Sequence, residues 1–110
     1  MPSADVLHQL MAVIRDRKAN PPPRSYTSQL FAGGVEKIGQ KICEEAAEVV
    51  EAAGEPGADG RDHLVAEAAD LLYHLFVMLG EREVPLEDVE AELARRFGVS
   101  GLDEKESRSP

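Results

Sequence analysis

The sequence predicts an all-α fold, a four-helix bundle-like domain followed by a short polar tail, and three observations carry that expectation. Apolar residues recur at three- and four-residue spacings in four separate segments. No segment alternates with period two for long enough to make a convincing strand. Aromatics are only 5% and Trp is absent, while Ala, Leu, Val and Ile fill the apolar positions, which suits close helix packing better than a β-sandwich.

The first helix is expected over residues 4–18, where Val6, Leu7, Leu10, Met11, Val13 and Ile14 share the helical spacing and Ser3 or Asp5 can cap it. Asn20-Pro21-Pro22-Pro23 forbids helix, because proline lacks the amide donor and restricts the residue before it. A stiff, extended loop follows, carrying Arg24, Ser25, Tyr26 and Thr27. The second helix covers 28–53, with a break or short separate turn at Gly33-Gly34, since each glycine weakens a helix by about 1 kcal/mol relative to alanine. Residues 54–60, with Pro56 and three glycines, read as a loop, and 61–81 as a third, long helix. Pro85 suits the first turn of a last helix ending near Phe97-Gly98, with Glu87, Asp88 and Glu90 early and Arg95-Arg96 late, matching the macrodipole. Residues 1–98 thus form one domain, and 99–110 a polar tail expected to be disordered.

A formal net charge of -9 leaves no broad basic surface, so neither nucleic acid nor an anionic membrane is an expected partner. A small anionic substrate would need a metal ion or a local cluster of Lys and Arg. Cys43 is the only cysteine, which excludes an internal disulfide and a cysteine-rich zinc site within one chain and suits a reducing, cytoplasmic setting. Residues 1–11 lack a basic segment followed by an apolar run, and nowhere do 18 apolar residues follow one another; neither a signal peptide nor a membrane span is expected.

An α-helix advances about 100° per residue, so Lys37, Lys41, Glu44, Glu45 and Glu48 fall within an arc of roughly 100° on the second helix. Ile38, Ile42, Ala46, Val49 and Ala53 form the neighbouring core stripe. On the third helix Glu67 and Asp70 share a face with His63, His74 and Glu81, while Leu64, Ala68, Leu71, Leu75 and Leu79 are expected to face inward. The short connection makes these helices antiparallel neighbours, so the two acidic stripes can face each other. A lone E-E-x-x-E is an ordinary solvated helix face. Glu67 and Asp70, however, stand in Val65-Ala66-Glu67-Ala68-Ala69-Asp70-Leu71-Leu72, where carboxylates are seldom buried without a partner. Converging carboxylates repel and raise one another's pKa unless a cation intervenes, and magnesium, which prefers oxygen ligands, is the natural occupant.

Among the remaining polar residues, Lys37 and Lys41 are candidates for phosphate contact, against ordinary same-face pairing with Glu44 and Glu45. Arg24, Ser25, Tyr26 and Thr27 could line the substrate edge, with Tyr26 equally able to anchor the proline segment. His74 reads as a satisfied core or interface histidine rather than a ligand, and His63 and His8 rank below it. Cys43 points away from the acidic stripe by roughly 160°, which argues for packing.

The order E-E-x-x-E then E-x-x-D on paired helices, over residues 37–79, resembles the all-α nucleoside-triphosphate pyrophosphatase superfamily, the MazG-like group. Three segments sharpen this: Ser25-Tyr26-Thr27-Ser28-Gln29-Leu30-Phe31, Lys37-Ile38-Gly39-Gln40-Lys41-Ile42-Cys43-Glu44-Glu45-Ala46-Ala47-Glu48, and Glu67-Ala68-Ala69-Asp70-Leu71-Leu72-Tyr73-His74-Leu75. Together, over residues 25–98, they are similar to the phosphoribosyl-ATP pyrophosphatase family of histidine biosynthesis. The resemblance implies Mg2+-dependent hydrolysis of 1-(5-phosphoribosyl)-ATP to 1-(5-phosphoribosyl)-AMP and pyrophosphate in a helical homodimer. It also implies Glu45, Glu48, Glu67 and Asp70 as the magnesium ligands. Glu44 or Glu48, on the same stripe, could orient or deprotonate the attacking water. A house-cleaning pyrophosphatase acting on ordinary or damaged nucleotides would share the metal site, and a non-catalytic helical interaction module would carry the acids only as surface charge. Independently of the resemblance, the third helix carries Val65, Ala69, Leu72 and Phe76 besides its core stripe, and so small a chain offers too little to cover them, which also predicts a homodimer.

Overall fold

A computed structural model describes residues 5–108 and contains five helices: α1 Val6–Ala19, α2 Tyr26–Ala53, α3 Gly57–Glu81, α4 Leu86–Arg95 and α5 Gly101–Arg108, with no strand among the described residues. Asp5 occupies the cap position of α1, and the alternative cap, Ser3, lies outside the described residues. The all-α expectation holds, but the starts of the second and third helices and the tail need correction, and the fourth helix ends at Arg95 and not near Phe97-Gly98.

The second helix starts two residues earlier than expected. Ser25 is extended and its hydroxyl accepts the Ser28 N–H at 3.2 Å, so Tyr26 and Thr27 form the first turn instead of a loop. The expected break is a kink inside a continuous α2, where Gly34 adopts φ 70° and ψ −165°, a conformation that favours glycine.

The third helix begins at Gly57, not residue 61, which shortens the loop to Gly54-Glu55-Pro56. Pro56 is extended at the cap position, and Gly60 is a packing glycine rather than a loop signal: a Cβ there would lie 2.2 Å from the Glu55 carbonyl oxygen. So tight a connection holds α2 and α3 as an antiparallel pair, the largest interface in the fold.

The core gathers at one end of that pair, where Met11 and Ile14 of α1, Leu30 and Ile38 of α2, Phe76 and Val77 of α3 and Leu86 of α4 are buried together. Gly80 lets α3 approach Ile14 and Phe31, and Lys18 closes the helix end by donating to the Gly80 and Glu81 carbonyls at 3.0 and 3.1 Å. The inward face of α3 is rotated from the expected leucine stripe. Leu64, Ala68, Leu71 and Leu79 are half-buried, Leu75 is exposed, and the buried positions are Gly60, His74, Phe76, Val77 and Gly80. The cause is that α3 turns Glu67 toward α2, with that side chain only 13% exposed, leaving Val65, Leu72 and Leu75 on the surface.

The tail differs most from expectation: Gly101–Arg108 is helical. The Ser100 hydroxyl accepts the Asp103 N–H at 3.1 Å, and the buried Glu104 carboxylate accepts from Arg95 at 2.6 Å with Arg96 and Arg108 each at 3.7 Å. Residues 109–110 lie outside the described residues. By length and composition alone α3 is also apolar enough to cross a membrane, with a mean hydropathy of 1.2 in its richest window. The same composition describes a helix whose apolar surface packs against protein.

Candidate functional site

The hairpin of α2 and α3 has two unlike ends. Toward its connection only Ala52 and Gly60 are buried, and carboxylates replace the apolar core. Oxygens of Glu45 on α2 and of Glu67 and Asp70 on α3 lie within 4.8 Å of one another. Two of them, Glu45 Oε2 and Glu67 Oε2, are buried with no hydrogen-bond partner among the described residues. Glu48, one turn beyond Glu45 and exposed, stands outside that trio but against Glu67. The adjoining carboxyl of Glu48, then that of Glu45, together with burial, pushes the Glu67 carboxyl up to about 7. Ionised carboxylates have no proton to share, so at neutral pH the cluster calls for either a retained proton or a cation. A cluster of hard, closely spaced oxygens fits Mg2+ better than a soft or nitrogen-preferring metal.

Sequence reasoning undervalued one neighbour of this cluster. His63, one turn before Glu67, places Nε2 3.3 Å from Glu67 Oε1 and Nδ1 3.0 Å from each carboxylate oxygen of Glu55. The i, i+4 spacing from His63 to Glu67 was the available signal. His74 is buried and satisfied, as the conservative reading has it. Its Nδ1 faces the Asp70 carbonyl at 2.8 Å, and a carbonyl only accepts, so Nδ1 carries the proton and Nε2 accepts from the Tyr26 hydroxyl at 2.8 Å. Burial holds the Tyr26 phenol above its ordinary range, against an opposing pull from Lys41, which keeps it a donor. The backbone that carries Asp70 is thereby tied to the first turn of α2.

The substrate-edge candidates divide. Thr27 is turned inward, buried and hydrogen-bonded to the Tyr73 hydroxyl, and the Ser25 hydroxyl is engaged as the α2 cap. These two side chains serve the fold, a role the loop expectation had not given them. Arg24, at φ 61°, is exposed, and Tyr26 is 44% exposed beside Lys41, Glu44 and Glu45. Lys41 donates to Glu44 at 3.2 Å, the ordinary same-face pair. Lys37 lines a cleft of about 280 Å³ with Gly33, Glu36 and Gln40, beside the kink. Cys43 is exposed, so it is not the packed core residue the sequence suggests.

A sequence model described as phosphoribosyl-ATP pyrophosphohydrolase matches residues 7–97. The chain is 53% identical over 102 residues to a phosphoribosyl-ATP pyrophosphatase of Rhodopirellula baltica, covering 93% of this chain and 85% of that one. It is 48% identical over 104 residues to that of Geotalea daltonii, covering 94% and 95%, and 48% identical over 109 residues to that of Novosphingobium aromaticivorans, covering 99% of each.

Proposed function

The chain belongs to the phosphoribosyl-ATP pyrophosphohydrolase family and is a hydrolase, and from that premise we propose that it converts 1-(5-phosphoribosyl)-ATP to 1-(5-phosphoribosyl)-AMP and pyrophosphate in histidine biosynthesis, with Mg2+ held by Glu45, Glu48, Glu67 and Asp70. The observation that carries this reading is the pair of buried, unpartnered oxygens on Glu45 and Glu67, since a native fold rarely leaves such atoms without a use. Bound magnesium would supply positive charge against the polyphosphate and the leaving pyrophosphate.

The chain's own groups supply the rest. Glu48 is the better-placed base, because it is exposed next to Glu67, whereas Glu44 is paired with Lys41. It would hold the attacking water and take its proton at a carboxylate oxygen. Lys41 can exchange Glu44 for a phosphate oxygen, and Lys37 and Arg24 stand outside the acidic cluster, where an additional phosphoribosyl group would lie. Tyr26 and His74 keep Asp70 in register with α2.

A second copy of the chain would cover the surface that α3 and α2 leave apolar: Val65, Leu72, Leu75 and Val50 are 59%, 42%, 42% and 73% exposed. A cytoplasmic setting follows from the pathway and from the lone cysteine. A magnesium titration against phosphoribosyl-ATP, ATP and dCTP, with pyrophosphate and the nucleotide product both quantified, tests the reading. Cleavage of phosphoribosyl-ATP only with the metal present is expected. Metal-independent turnover, or release of orthophosphate, would overturn it. Light scattering at micromolar concentration should return a dimer, and a monomer would refute the assembly.

A further inference from the structure

The two oxygens of Glu67 have different surroundings. Oε2 is buried and unpartnered, while Oε1 meets His63 Nε2 at 3.3 Å. The far side of the same imidazole is held by Glu55, 3.0 Å from Nδ1 to each carboxylate oxygen. We propose that His63 is a positioning residue for the hydrolysis: it fixes the Glu67 carboxylate so that Oε2 is presented to the cation, and Glu55 fixes His63 in turn. This inference rests on the metal reading above and adds two residues to it.

The backbone is arranged for the purpose. Glu55 belongs to the three-residue connection, far in kind from a helix-face acid, and it reaches His63 only because the connection packs onto the first turn of α3. Gly60 permits that approach, since any side chain there would strike the Glu55 carbonyl and Cβ. The Glu55 carboxylate accepts and does not donate, so Nδ1 carries a proton toward it, which fixes the ring with Nε2 against Glu67 Oε1. Ligating carboxylates need such outer partners to hold their orientation, and losing one commonly weakens metal binding by about tenfold or more.

The contact is a poor candidate for a purely structural one. His63 and Glu55 side chains are 41% and 45% exposed, and exposed ion pairs contribute little to stability. Loss of fold and loss of positioning are therefore separable.

The test is Mn2+ binding to the full-length, metal-stripped protein at one fixed pH, followed by the electron paramagnetic resonance of free Mn2+, for wild type, His63→Ala, His63→Gln and Glu55→Gln. His63→Ala is expected to bind about tenfold more weakly. Glu55→Gln should weaken binding less, and His63→Gln, whose amide nitrogen can occupy the Nε2 position, should recover most of the affinity. Melting temperatures should stay together, and in turnover the Mg2+ concentration for half-activation should rise with kcat at saturating Mg2+ little changed. If His63→Ala destabilises α3, Glu55→Gln carries the comparison from outside that helix. Unchanged Mn2+ affinity in both His63→Ala and Glu55→Gln, or no recovery by His63→Gln, overturns the positioning role while the metal site stands. Absence of Mn2+ binding by wild type overturns the metal reading and this inference with it.

Discussion

Glu45 and Glu67 face each other across the α2–α3 pair, each with its Oε2 buried and unpartnered. A buried carboxylate oxygen without a donor costs stability, and here two stand within one cluster. A retained proton or a cation between them removes that cost. The end of the hairpin that would otherwise close over an apolar core is given instead to charge.

Neutralising one acid at a time is the direct check. Glu48→Gln and Glu67→Gln should each abolish turnover while far-ultraviolet circular dichroism stays helical. Without metal, Glu67→Gln should melt no lower than wild type, because it removes a like charge from a crowded site. Substantial activity in both variants would refute the ligand assignment.

The metal-free protein should show the crowding in its pH dependence. Glu45 and Glu48 face Glu67 from α2, His63 and Asp70 flank it on α3, and Glu55 acts through His63. Because the folded-state value, about 7, lies above the ordinary 4.5, the folded chain retains a proton that the unfolded chain has lost between those limits. The stabilisation is fully present below 4.5 and is lost as pH rises through about 7. The urea midpoint of metal-free protein should therefore fall from pH 5 to pH 8 more than that of Glu67→Gln, and Mg2+ should restore more at pH 8 than at pH 5. Parallel profiles for the two proteins would contradict the shared-proton account.

Two glycines of the hairpin should respond in opposite directions. A Cβ at Gly60 would meet backbone atoms of Glu55 at 2.2 and 2.7 Å, so Gly60→Ala should destabilise by about 1 to 3 kcal/mol as the connection is pushed off α3. A Cβ at Gly39 would meet only Met78 at 3.8 Å, an ordinary contact in a helix interior, so Gly39→Ala should stabilise by about 0.5 to 1 kcal/mol. Urea titration of both reads the signs, and stabilisation by Gly60→Ala would show that the Glu55 approach is dispensable.

These contrasts show what the sequence could and could not convey. The meeting of acids from the two helices was legible because Glu67 and Asp70 interrupt an apolar run, although of the two only Glu67 is turned inward and Asp70 is exposed. The face of α3 was not, because periodicity marks apolar positions without saying whether the same chain or a second copy covers them; Leu75 is exposed and Phe76 buried against that expectation. The α5 helix was hidden because Glu104 is buried by arginines and not by apolar neighbours. His63 was undervalued because half of its meaning lies in Glu55, a loop residue that only the Gly60 contact brings near.

Lys41 sits where a phosphate could take it from Glu44, a half-exposed pair at 3.2 Å. Such pairs are weak, so a polyphosphate can displace the glutamate at little cost. Lys41→Ala should reduce kcat/KM by an amount equivalent to about 1.5 to 3 kcal/mol, the scale of a charge-assisted contact. Lys105→Ala, on α5 and off the acidic stripe, should change it far less. Equal effects would remove the phosphate role.

The sharpest prediction concerns substrate choice. Phosphoribosyl-ATP should be cleaved far faster than ATP or dCTP, and phosphoribosyl-AMP should accumulate. The acidic cluster cannot make that distinction, since every nucleoside triphosphate presents it with the same oxygens. Discrimination has to come from contacts to the additional phosphoribosyl group, made more strongly in the transition state than in the ground state. Arg24, exposed before the α2 cap, and Lys37, in the cleft beside the Gly34 kink, are the cationic side chains placed to make them. Arg24→Ala and Lys37→Ala should each lower kcat/KM for phosphoribosyl-ATP while leaving the slow hydrolysis of ATP unchanged, so that the ratio of the two falls. A loss shared equally by both substrates would place these residues at the triphosphate and not at the ribosyl phosphate. Comparable wild-type turnover of ATP and phosphoribosyl-ATP would defeat the specific substrate assignment and leave a general nucleotide pyrophosphatase.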